Sequence, residues 1–298
     1  MNLKHLSTFV QVAELQSLAR AAVASDTAAS LVSRQIAMLE SEWGGKLFDR
    51  TGRGMVLSDF GRRMLPEVQQ VIEQLGRLDA AAREAAGTLT GTVHVGVLPS
   101  MSRELLPALF ADIRARAPDV RLHAVEGFSG DLDEALASGR LDMTVVNRYG
   151  ASLRGEDALG TVETCLIGRP DGLAGAAPTV PFRALAGLPL VLPSTPNGLR
   201  ATLDQLSRKH RIALDVVMEV DTGTAMKDVA LSGHAFTLLP LMAVKAERDA
   251  GLLAAARIVR PGIVRTISLS LGRRRPLSKA ARLVAGRLRQ LATELLRG

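Results

Sequence analysis

Ser33 and Arg34 lie within the stretch SLVSRQIAMLE, and Arg50 and Arg53 lie in the turn DRTGRG that follows two glycines. Hydroxyls and guanidiniums bind phosphate oxygens and base edges. Brought together over residues 30 to 54, they point to nucleic-acid recognition rather than to bond making.

The neighbouring residues supply elements to hold them. Leu3, Leu6, Phe9, Val10 and Ala13 share one helical face, and Asn2 suits the cap. Ser17 opens the short Ala-rich segment SLARAAVA, which the polar SDT closes. A third helix carries Val32, Ile36, Leu39 and Trp43 at spacings of 4, 3 and 4. Its opposite side holds Ala29, Ser30, Ser33, Arg34 and Ala37. A helix meant for the major groove needs such small residues, because bulky ones hold its backbone away from the base edges. Gly44 and Gly45 end the helix, and KLFDRTGRGMVLS reads as two short strands whose tip carries Arg50 and Arg53. That tip is a wing, reaching phosphates or a narrow minor groove. The competing reading is a small helical domain with a polar turn.

These stretches, FVQVAELQSLARAA, VSRQIAMLESEWGGKLFDRTGRG and LSDFG, resemble in order the N-terminal region of LysR-type transcriptional regulators over roughly the first 65 residues. The resemblance implies double-stranded DNA as partner and Thr27, Ala29, Ser30, Ser33, Arg34, Arg50 and Arg53 as the contacting positions. Two departures stand out. Ala28-Ala29-Ser30 replaces the family's usual Ser-Gln-Pro, and Ser25 replaces a usual core leucine. Without the glutamine amide, specificity shifts toward Arg34 and DNA shape.

Ser58 suits an N-cap, and Met64, Val68, Val71, Leu75, Leu78, Ala82 and Ala85 follow at heptad spacing. So narrow a stripe wants a partner helix, and residues 60–86 read as a dimerisation coil; packing on the chain's own body is the alternative. Pro66 removes one backbone hydrogen bond and is expected to bend the first turns. Two-fold pairing predicts a pseudo-palindromic operator. The resemblance, not the heptads, implies a tetramer.

GTLTG at 87–91 leads into alternating strands and helices: TVHVGVL, RELLPALFADIRAR, VRLHAVEG, GDLDEALASG and LDMTVV. A second such unit runs from PLVLPS to AFTLLP, and RTISLSLG and KAARLVAGRLRQLATELL close the chain. The expected fold is α/β: a winged helix-turn-helix at 1–58, a linker helix at 59–90, and at 91–298 a two-lobed, doubly wound, parallel-sheet domain. Lobe one takes about 91–163 and 268–298, and lobe two about 164–267. The resemblance agrees, implying a periplasmic-binding-protein-like (type 2) effector domain, and LPSTPNGLR and TISLSLGRRRPLSKAARLV are similar to the family's nitrogen-assimilation-control branch.

Ligands of such sheets sit at strand C-termini against helix N-termini. Ser100 and Met101, Ser129, Arg148 and Tyr149, Thr195 and Asn197, and Thr222 occupy those positions. Their donors suit a carboxylate or similarly polar small molecule, with Arg148 as charge partner. Ser100, Ser129 and Thr222 each alone also suit a helix cap, and His234 suits either the cleft or an ordinary packed or solvent-facing place.

Charge and composition bound the rest. The net charge of +7 does not sit with the wing: residues 1–90 hold 10 basic and 10 acidic side chains, whereas residues 257–298 hold 11 and one. The lone Cys165, in an apolar run, reads as a buried small hydrophobe rather than a sensor. The histidines show no metal-ligand spacing, and GxSxG, GxxxxGK and GxGxxG are absent, so no catalytic residue, metal or cofactor is expected. Neither a signal peptide nor a membrane span is expected, and the cytoplasm is the predicted compartment. The leading reading is an effector-modulated DNA-binding regulator, with RNA polymerase as a further partner; a small-molecule binding module without DNA regulation is the alternative.

Overall fold

A computed structural model describes residues 2–51, 54–85, 88–150, 153–274 and 276–297. The chain divides into two units, Met1–Gly91 and Thr92–Gly298.

In the first unit, α1 (Leu3–Leu15), α2 (Leu18–Ala24) and α3 (Ala29–Trp43) precede a hairpin of β1 (Phe48–Thr51) and β2 (Gly54–Leu57), and α4 (Asp59–Ala85) follows. The Asn2 side chain accepts from Lys4 N–H, as its predicted cap requires, and Ser17 caps α2 by accepting from Arg20 N–H. Leu6, Phe9, Val12, Ile36, Leu39, Leu47 and Phe48 form the core, while Val10 and Ala13 only flank it. Burying a side chain such as Phe9 stabilises by about 1.5–3 kcal/mol; its ring also meets those of Trp43 and Phe48 edge-on, at 6.4 and 5.5 Å. One buried polar tie joins α1 to α3, the Thr8 hydroxyl donating to Gln35 Oε1 at 2.7 Å.

The linker helix behaves in two ways along its length. Met64 and Val68 pack into this core, and beyond them Val71, Leu75 and Leu78 are 39%, 44% and 68% exposed. The helix is continuous through Pro66.

The second unit opens with β3 (Gly91–Val97), α5 (Pro99–Arg116), β4 (Val120–Glu126), α6 (Ser129–Ala137) and β5 (Met143–Arg148). A long β6 (Asp157–Gly168) carries the chain across to α7 (Leu173–Ala176), β7 (Thr179–Pro181), β8 (Pro189–Leu192), α8 (Gly198–His210), β9 (Asp215–Glu219), α9 (Gly223–Leu231), β10 (Phe236–Pro240), α10 (Lys245–Asp249) and β11 (Ala254–Val259). Then β12 (Val264–Leu271) returns, and α11 (Lys279–Arg297) ends the chain.

The strand path is β4-β3-β5-β12-β6-β10-β8-β9. β3 and β5 pair in parallel, as do β8 with β9 and β10. The expectation of purely parallel sheets is corrected at the centre. β12 runs antiparallel to β5 and to the first half of β6, and the second half of β6 runs antiparallel to β10 and β11. A strand that crosses between lobes must pair with both, so its direction follows from the crossing. α5 starts at Pro99, four residues before the apolar pattern suggested, because proline suits the first helical position.

The basic C-terminal segment is largely partnered inside its own unit. Arg287 grips both Asp112 oxygens at 2.6 and 2.9 Å, Arg289 pairs with Asp157, and Arg257 with Glu163. Among the described residues no helix is long and apolar enough to cross a membrane.

Candidate functional site: an exposed recognition helix and an interlobe cavity

In the first unit α3 turns Val32, Gln35, Ile36 and Leu39 inward. Ala29, Ser30, Arg34 and Ala37 are exposed on the other side, with Ser33 and Thr27 half-buried. The residue before the helix is Ala28, so no side chain caps it, and the positive end of the helix dipole lies at this uncapped start.

The hairpin is fixed on one side to this helix and on the other to the end of α1. Glu40 accepts from Leu47 N–H at 2.8 Å and meets Lys46 Nζ at 3.2 Å. Met55 N–H donates to Gln16 O at 3.1 Å. Gly54 must be glycine there: its φ is +120°, and a Cβ would stand 2.7 Å from Gln16 O. Arg50 lies on β1 opposite Met55. Arg53 lies outside the described residues.

Ser25 ends α2 rather than entering the core, its hydroxyl donating to Ala21 O at 2.9 Å. Ser58 caps α4 by accepting from Gly61 N–H at 2.9 Å.

In the second unit a cavity of about 460 Å3 lies between the lobes. The first turns of α5 and α9 reach it with Ser100 and with Gly223 and Thr224, and β4, β5, β10 and β12 contribute Glu126, Asn147, Pro240 and Arg265.

Among the eight residues nominated from the sequence, only Ser100 lines this cavity. Met101 is buried in the α5 core. Ser129 stands one step back, its hydroxyl accepting from Asn147 N–H at 3.0 Å. Asn197 caps α8, and Thr222 caps α9, the alternative role it was given. Thr195 is not on the cavity wall.

The role given to Arg148 is corrected. Its guanidinium lines a different depression and is committed to Asp133 and Glu156. Hydrogen bonding from Asp133 outweighs burial and holds Arg148 firmly protonated. Burial pushes the Glu156 carboxyl up, but Arg148, Ser270 and the Leu153 N–H together bring it below its ordinary value.

The neighbouring Tyr149 leans on Gly198 and the lobe-two core. Burial pushes its hydroxyl up, and interaction with Arg265 and Thr164 pulls it partly back.

Sequence reasoning missed Arg265. For Arg265 a signal existed, an arginine at the head of the otherwise buried strand RTISLSLG.

A winged helix with an exposed small-residue helix face, followed by a two-lobed α/β unit with a cavity at its helix N-termini, defines a DNA-binding protein with a ligand domain. The chain matches the model of the LysR substrate binding domain over residues 86–293 and that of the bacterial regulatory helix-turn-helix protein, lysR family, over 3–62. It is 27% identical to the nitrogen assimilation regulatory protein nac of Klebsiella aerogenes over 289 residues, 95% of this chain and 93% of that protein. Among solved structures it is similar to CbnR, a LysR family transcriptional regulator, with TM-score 0.75 at 20% identity, covering 98% of this chain and 99% of that one. Full-length CbnR complexed with its target DNA gives a TM-score of 0.73 at 20% identity, with 99% of each chain covered.

The chain belongs to the LysR family: it is a DNA-binding transcriptional regulator with a C-terminal effector-binding domain.

Proposed function

We propose that residues 1–58 are the DNA-binding domain, 59–90 the linker and dimerisation helix, and 91–298 the effector domain, with lobes at about 91–163 with 268–298 and about 164–267. The observation that carries this reading is the exposed, uncapped face of α3 beside a braced wing. Ala29, Ser30, Ser33 and Arg34 enter the major groove, with Thr27 beside them, and Arg50 and Arg53 hold phosphates. Dimers through α4 set two such helices on a pseudo-palindromic operator, with half-sites about 34 Å apart or a multiple of that.

A small molecule in the interlobe cavity changes lobe or subunit geometry, and through it DNA bending and access for RNA polymerase. The coupling requires that the effector bind the two states with different affinity. The protein acts in the cytoplasm as a regulator rather than an enzyme.

Footprinting on DNA flanking its own gene, at two salt concentrations, tests this. Protection of dyad-related sites is expected, and weak, uniform binding that salt erases overturns it.

A further inference from the structure

Arg265 is 7% exposed and lines the interlobe cavity, and its Nε and Nη2 have no hydrogen-bond partner. These two nitrogens share one edge of the planar guanidinium, the edge that meets both oxygens of a carboxylate.

The other charged groups on the wall differ in kind. Arg103, Glu104, Glu126, Lys245 and Asp249 are exposed and therefore screened, and Lys227 is neutralised by Glu247 at 2.6 Å. Beside Arg265, Tyr149 Oη and Thr164 Oγ1 are also buried. A buried donor edge without an acceptor is costly in a folded protein. Arg265 belongs to the wall of a cavity at the starts of α5 and α9, whose dipoles favour an anion.

We propose that the effector carries a carboxylate and that Arg265, not Arg148, receives it through the Nε/Nη2 edge. This rests on the reading of the cavity as the effector site. Stability is thereby traded for binding, since apo protein carries an unmatched buried cation.

The test uses the full-length protein with acetate, succinate, glutarate and benzoate, each beside its amide, and inorganic phosphate as a non-planar oxyanion. Melting temperature and titration calorimetry are the readouts. At least one carboxylate is expected to stabilise the wild type while its amide does not. Arg265→Gln then weakens binding on the order of 100-fold, and Arg265→Lys retains part of it. Arg265→Met without ligand melts no lower than the wild type; a structural arginine would make it melt lower, which counts against the proposal.

Ser100→Trp, which fills the cavity, separates the two readings. If it abolishes binding while Arg265→Gln leaves it intact, the anchor is wrong and the cavity reading stands. If neither variant affects binding, the cavity reading fails as well. Stabilisation by phosphate alone, or by no member of the panel, overturns the carboxylate.

Discussion

Arg148 meets both oxygens of Asp133, Nη1 to Oδ2 and Nη2 to Oδ1, each at 2.7 Å, and its Nη2 also reaches Glu156 Oε1 at 2.5 Å. Asp133 lies midway along α6, Arg148 ends β5, and Glu156 precedes β6 and takes a further bond from Ser270 on β12 at 2.7 Å. One guanidinium thus ties together four segments of lobe one.

That tie predicts a pH dependence. The Glu156 carboxyl is depressed in the folded state, so its contribution is fully present above the ordinary glutamate value of about 4.3 and is lost as pH falls through the depressed value. Glu156→Gln is expected to cost about 2 kcal/mol at neutral pH. Melting curves of both proteins should converge on acidification below that range, and a gap independent of pH contradicts the assignment.

The second prediction concerns α4. Leu75 and Leu78 lie on the heptad seam beyond the point where it leaves the first unit's core. Leu75→Lys with Leu78→Lys is expected to shift dimers toward monomers in light scattering, with the melting temperature of the winged helix little changed. A wild type that is monomeric at micromolar concentration refutes the coil.

For the wing, Gly54→Ala puts a Cβ against Gln16 O at a positive φ. We expect a cost of about 2 kcal/mol and weaker DNA binding. Full stability in this variant would mean that the hairpin is not braced by α1.

Arg34 stands on the exposed face of α3, clear of the core. Arg34→Ala should relax base preference at one operator position by about 1–3 kcal/mol. Site selection with an unaltered preference would remove it from the readout.

Cys165 is buried on β6, and burial pushes its thiol up, with Glu163 adding to the effect. It should react with a thiol reagent only on unfolding. Rapid modification of the native protein would restore the sensor reading.

The first unit was legible because its signals are local. Caps at Asn2, Ser17 and Ser58 and the periodicity around Phe9 and Ile36 act within a few turns, so the residues specify the helices almost alone. β6 escaped notice because DALGTVETCLIG does not alternate cleanly; its first half is partly exposed and its second half buried on both faces.

By itself, then, the sequence determined the winged helix, the small-residue face of α3, the heptad seam and the alternating α/β order, all set by spacing along the chain. Only the tertiary structure decided where the seam passes from core to surface, between Val68 and Val71, and which arginine faces the cavity. Arg148 and Arg265 stand on neighbouring antiparallel strands, and nothing local distinguishes them. Asp133 and Glu156, brought in from other segments, neutralise the first, while the second pairs with no carboxylate among the described residues, because the partner of a charge is chosen by what folding places beside it.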